Sequence, residues 1–156
     1  MSTEHLEVRR EPVTSAVASA LISALNAELT LQYPEEGANH FRLDAEEVED
    51  GRGAFLVAYD RGRPTGCGAI RRLDESRAEI KRMYVDPAAR GRGIGRTILD
   101  ALEAEAKKLG VSRVVLETGE RQMTAMRLYE SAGFARIPTF GEYENSPLSI
   151  CMEKLI

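Results

Sequence analysis

A strand that hands over to a helix through a glycine- and arginine-rich turn, YVDPAARGRGIGRTILDALEAEAKKLG at residues 84–110, constrains this chain more than any other stretch. Ile94, Ile98, Leu102, Ala106 and Leu109 share one helical face, with Leu99 beside them. Lys107 and Lys108 suit the last turn and Gly110 the position after it. Each glycine costs a helix about 1 kcal/mol. Arg90, Arg92 and Arg96 add positive charge to the positive end of the helix dipole. A bound polyanion resolves that conflict, because small residues let backbone amides approach it and the helix start favours it. A flexible loop that is merely basic is the competing reading, and the clear strand before and helix after speak against it.

Two phosphate motifs come close and fail. A P-loop requires G-x-x-x-x-G-K-[ST], whereas RGRGIGRT has Arg90 at the first glycine and Arg96 at the lysine. The dinucleotide fingerprint G-x-G-x-x-G fits Gly91 and Gly93, but its third glycine falls on Arg96.

The flanking segments give an alternating strand at 5–10 and a helix at 14–33 with Thr14 or Ser15 as N-cap. A short helix capped by Asp44 follows, then a hairpin from strands 54–60 and 66–73. A strand at 77–85 leads into the Gly/Arg turn and the helix of 91–109. Strand 111–118, helix 122–133 and strands 134–140 and 148–156 complete the chain. In EIKRMYV, Met83 and Val85 keep period two, but Ile80 to Met83 is three steps. One extra residue restores the face, which predicts a β-bulge near Lys81–Arg82. Such a bulge would splay this strand from its parallel neighbour and open a slot toward the Gly/Arg turn.

The 156 residues suffice for one domain with a core. A net charge of −4 argues against nucleic acid as the main partner. The apolar runs fall short of a membrane span, and MSTEHLEVRREPV has no signal-peptide core. The chain therefore reads as cytoplasmic, with no membrane partner. Cys67 and Cys151 lie in apolar runs and read as buried thiols; His5 and His40 are far apart, so no metal site is expected.

Met83-Tyr84-Val85, Asp86-Pro87, Arg90-Gly91-Arg92-Gly93-Ile94-Gly95 and AMRLYESAGF (125–134) together resemble the GNAT superfamily of acetyl-CoA-dependent N-acetyltransferases. The agreement in element order extends over residues 5–156. The resemblance implies a single α/β (α+β) domain over 1–156. Its central sheet would be mixed and mostly antiparallel, of about seven strands, with a splayed parallel pair (77–85 and 111–117) and about four helices. It implies an acetyltransferase acting by direct attack in a ternary complex on the primary amine of a small molecule. Protein N-termini, lysine side chains and a non-catalytic acyl-CoA sensor are the alternatives. Relatives commonly form homodimers, which this sequence leaves open.

The resemblance also implies roles. Main-chain groups of Met83, Tyr84 and Val85 would meet the pantetheine arm of acetyl-CoA. Amides of Gly91, Arg92, Gly93, Ile94, Gly95 and Arg96 would hold its pyrophosphate, with the side chains of Arg90, Arg92 and Arg96 nearby. Thr97 would add a hydroxyl, and Gln122 stands where the family often has Asn. Tyr129 would be the general acid. Glu79 is the favoured base and Glu117 the second choice, with a water relay as the remaining option. By their charge rather than by the resemblance, Lys81 and Arg82 beside the expected reaction centre would suit an acceptor carrying a carboxylate or phosphate. Tyr143, Ser149 and Cys151 belong by topology on the acceptor side, and region 30–45 would form the other wall.

Overall fold

A computed structural model describes residues 5–35 and 43–156. Among these residues seven strands form one sheet in the order β1-β2-β3-β4-β5-β7-β6. They are β1 (Leu6–Arg10), β2 (Gly53–Asp60), β3 (Arg63–Arg72), β4 (Arg77–Val85), β5 (Arg113–Gly119), β6 (Ala135–Ile137) and β7 (Ser149–Leu155). All neighbours are antiparallel except β4 and β5. Among the described residues three α-helices accompany them: α1 (Ala16–Gln32), α2 (Ile94–Leu109) and α3 (Met123–Ser131).

The expected fourth helix, capped by Asp44, is a single 3₁₀ turn at Ala45–Val48 within a capping box formed by Asp44 and Glu47. Four residues before the turn of Gly51 leave no room for more. The expected strand at 134–140 pairs only over Ala135–Ile137. Pro138 follows at once and has no N–H to give a ladder.

The sheet has a core on each face. Ile94, Ile98, Leu99, Leu102 and Ala106 of α2 pack with Tyr129 of α3 against Ile70, Ile80, Val114 and Leu116. Ala18, Leu21 and Leu25 of α1 pack on the other face against Phe55, Val57 and Tyr84. Ser15 caps α1, its hydroxyl accepting from the Ala18 amide at 3.0 Å.

Side chains of α2 and Met83 pack directly over Gly68 of β3, which carries no side chain. A Cβ there would stand 2.8 Å from Leu102 Cδ1, 2.8 Å from Met83 Sδ and 3.0 Å from Ile98 Cγ2. Gly68→Val is therefore expected to destabilise the protein by about 1–3 kcal/mol through overpacking. Urea denaturation would show this as a lower midpoint with an unchanged slope.

Candidate active site

The ladder between β3 and β4 pairs Ala69 with Lys81 but Cys67 with Tyr84. One residue on β3, Gly68, thus faces two on β4, Arg82 and Met83, which is a bulge, and Arg82 sits in it at φ +57°. The parallel pairing of β4 with β5 runs from Arg77↔Arg113 to Ile80↔Leu116 and goes no further. Beyond Ile80 the strands part, and two cavities occupy the opening.

The larger, of about 380 Å³, runs from the Gly/Arg turn to α3. Met83, Tyr84 and Val85 line it from β4, and Arg90, Gly91, Gly93, Ile94, Gly95 and Arg96 line its far end. Gly91 and Gly93 adopt φ +82° and +79°, in the left-handed region that favours glycine. The helix then starts at Ile94 with no side chain capping it. Its first-turn amides have no intrahelical acceptor.

The three guanidinium groups here rest on surface carboxylates. Arg90 meets Glu28 at 2.7 Å, Arg92 meets Asp60 at 3.5 Å and Arg96 meets Asp100 at 3.1 Å. These are exposed pairs worth about 0–1 kcal/mol each, so a phosphate can replace a carboxylate at little cost. Small residues at the turn, amides at a helix start and exchangeable arginines fit a bound pyrophosphate. Arg92 and Thr97 do not line the cavity. The Thr97 hydroxyl donates instead to Gly93 O at 3.0 Å.

The smaller cavity, of about 100 Å³, is lined by Lys81, Arg82, Glu117, Tyr143 and Ser149, with Leu29 and Tyr33 from the end of α1. Residues 36–42 of the expected second wall lie outside the described residues. Leu25, Met83, Gln122, Ala125 and Tyr129 line both cavities, which therefore meet at these side chains. Gln122 fixes the turn into α3. Its side-chain oxygen accepts from the Gly119 amide at 2.9 Å and from the Thr118 hydroxyl at 3.1 Å.

The two candidate carboxylates have different surroundings. Glu79 is fully buried and is not among the residues lining either cavity. One of its oxygens accepts from Arg71 Nε at 3.0 Å and Nη2 at 2.8 Å, and the other from the Tyr143 hydroxyl at 2.7 Å. Arg71 stands directly across the β3–β4 ladder from Glu79, and it also pairs with Glu47. Burial and the Glu79 charge push the Tyr143 phenol well above its ordinary range.

Glu117 lines the smaller cavity from the end of β5. Its carboxylate accepts from the Ser149 hydroxyl at 2.6 Å. Burial is the main cause that pushes its pKa up to about 7. The Ser149 bond and the charges of Arg82 and Lys81 pull it down, and the Glu79 charge adds to the rise. Glu117 is thus a carboxyl group poised to exchange a proton near neutrality.

Tyr129 is buried in α3, its ring edge-on to Phe134 with centroids 6.0 Å apart. Burial, with a smaller part from Glu117, pushes its phenol well above the ordinary value. It therefore keeps its proton at any working pH. Burial also lowers the Lys81 and Arg82 values. Arg82 Nη1 donates to Asn26 Oδ1 at 2.9 Å, and Lys81 Nζ lies 3.9 Å from a Glu142 oxygen.

Arg121 is a feature of the site that the sequence reading did not single out. It lines the larger cavity and ties α3 to α1. Its guanidinium meets Glu35 at 2.6 Å and Gln32 O at 2.8 Å, and its amide donates to the Tyr33 hydroxyl at 2.7 Å. Its sole signal in the sequence was a place one residue before Gln122. Among the described residues, no helix is long and apolar enough to cross a membrane, and no cluster of three or more His, Cys, Asp and Glu side chains is placed to hold a metal ion.

Comparison with known proteins agrees with this fold. An IAA acetyltransferase from Azospirillum brasilense is 44% identical over 147 residues, 94% of each chain. A solved structure from Klebsiella pneumoniae, described as an acyl-CoA N-acyltransferase, is 34% identical with TM-score 0.80, covering 96% of this chain and 97% of that one. The PaiA N-acetyltransferase of Thermoplasma acidophilum, solved with coenzyme A, shares the fold at TM-score 0.71 and 20% identity over 100% of both chains. The profile of the acetyltransferase (GNAT) family, whose members use acetyl-CoA, matches residues 19–134, and the chain belongs to that family of acyltransferases.

Proposed function

We propose that this protein transfers the acetyl group of acetyl-CoA directly to the primary amine of a small molecule. The observation that carries this reading is the meeting of two cavities at Tyr129, with a carboxyl group poised near neutrality in the smaller one. The larger cavity takes the coenzyme and the smaller one the acceptor. A volume of about 100 Å³ suits a compact acceptor better than a folded protein surface, being well under the roughly 300–1,000 Å³ of drug-sized pockets.

When bound, acetyl-CoA supplies an acetyl group activated as a thioester. Amides at 91–96 and the arginines around them hold its pyrophosphate, and the main chain of Met83, Tyr84 and Val85 faces the pantetheine arm. Glu117 takes the proton that an alkylammonium, with a pKa of about 10.4 in lysine, must lose before it attacks. Tyr129 holds a proton at its hydroxyl where the two cavities meet, available to a departing thiolate. Glu79 acts indirectly, holding Tyr143 in the acceptor wall. Proximity of two bound substrates supplies much of the remaining acceleration.

Thiol release from acetyl-CoA across a panel of amines, with mass spectrometry of the products, tests the reading. Acceptor-dependent release with an N-acetylated product is expected. Tight coenzyme binding without turnover on any amine would identify a non-catalytic acyl-CoA-binding module instead.

Gly95→Leu tests the coenzyme assignment separately. A Cβ at Gly95 would lie 3.1 Å from Leu128 Cδ2 and 3.7 Å from Val85 Cγ2, so a longer side chain is forced into the larger cavity. Coenzyme affinity should fall by at least about tenfold, equivalent to 1.4 kcal/mol. Calorimetric titration with CoA checks this, and unchanged affinity would remove the segment from the phosphate site.

A further inference from the structure

We propose that the acceptor is a compact amino carboxylate, recognised by Lys81 and Arg82 together, an inference that rests on the small-amine acetyltransfer reading above. In a regular strand, neighbouring side chains point to opposite faces. Here Lys81 and Arg82 are consecutive, yet both line the smaller cavity. The bulge is what allows it, at the cost of holding Arg82 at φ +57°. A non-glycine residue in that region is strained, and such strain collects where function requires it.

The two cations are also nearly out of water, with 6% of Lys81 and 8% of Arg82 exposed. A charge held away from water acts more strongly on a ligand carboxylate than one in bulk solvent. Among the described residues, Arg82 Nη1 donates to Asn26 Oδ1 at 2.9 Å, and Lys81 Nζ lies 3.9 Å from a Glu142 oxygen. Glu79, whose charge also acts on Lys81, is fully buried and held by Arg71 and Tyr143. Among the described residues, the charged side chains lining the cavity are Lys81, Arg82 and Glu117. An amino carboxylate matches them, its nitrogen directed to Glu117 and its carboxylate to Lys81 and Arg82. A diamine would instead push its second positive charge against the two cations.

Matched substrates test this. β-Alanine and γ-aminobutyrate would be compared with n-butylamine and putrescine, whose amines have similar basicity, in the thiol-release assay at fixed saturating acetyl-CoA. The amino carboxylates are expected to show kcat/KM about 10- to 100-fold higher, the range of a charge-assisted hydrogen bond. Lys81→Met should reduce that preference at least tenfold while CoA affinity stays unchanged. The wild-type comparison stands alone if the variant fails to fold. Equal or better turnover of n-butylamine or putrescine would overturn the inference and leave acetyltransfer to small amines standing. No turnover of any of the four or of the wider amine panel, with CoA still bound, would overturn that underlying reading and the inference with it.

Discussion

Glu117→Gln is expected to lower kcat by about 10²–10⁴-fold, the usual contribution of a positioned base, with coenzyme affinity unchanged. The pH profile carries the more specific expectation. With the Glu117 pKa pushed up to about 7, wild-type activity should rise as pH passes through neutrality and then level. The residual activity of the glutamine variant should lack that limb. The groups that face Glu117 are the Ser149 hydroxyl and the charges of Glu79, Lys81 and Arg82. An identical limb in the variant would exclude Glu117 as the base and direct attention to water.

The same substitution should raise stability, and the sign follows from linkage. Between the ordinary carboxyl value and about 7, folded Glu117 holds a proton that the unfolded chain has released. The folded state therefore binds more protons, and stability falls as pH rises through that window. Above it the ionised, desolvated carboxylate is a burden that glutamine lacks. Glu117→Gln should be more stable than wild type at pH 8 and nearly equal to it at pH 5, as read by urea midpoints at both values. A loss of stability at pH 8 would mean that the carboxylate is a structural partner, and the activity loss would then reflect misfolding.

The β4 bulge was legible because it breaks a simple rule. Ile80 and Met83 belong to one face, three steps apart where two are allowed, and Ile80, Met83 and Val85 do all pack on the α2 side. The α2 stripe was legible for the same reason of period. The fate of Glu79 was not. Its environment is set by Arg71, which the hairpin register places opposite, and by Tyr143, which arrives on a turn 64 residues later. Alternation along a strand predicts a face, whereas hydrogen-bond partners depend on distant segments meeting. Position along β4 speaks for Glu79 as a base, whereas its pairing with Arg71 across the ladder cannot be read from that position. Arg121 was hidden similarly, since its role depends on where the C-terminal end of α1 lies.

Tyr129→Phe should lower kcat by about 10- to 100-fold, toward the lower end of what a positioned acid contributes. CoA affinity and stability should stay close to wild type. The ring's packing against Phe134 survives the change, so only the hydroxyl is removed. The shape of the pH profile separates this residue from Glu117. Burial keeps the Tyr129 phenol protonated beyond the working range, so its loss should scale the rate equally at every pH and leave the limb near 7 in place. A variant with wild-type kcat would show that the departing thiolate needs no proton from the protein. A shifted limb would instead mean that Tyr129 acts by tuning Glu117, whose charge it senses across the junction of the two cavities.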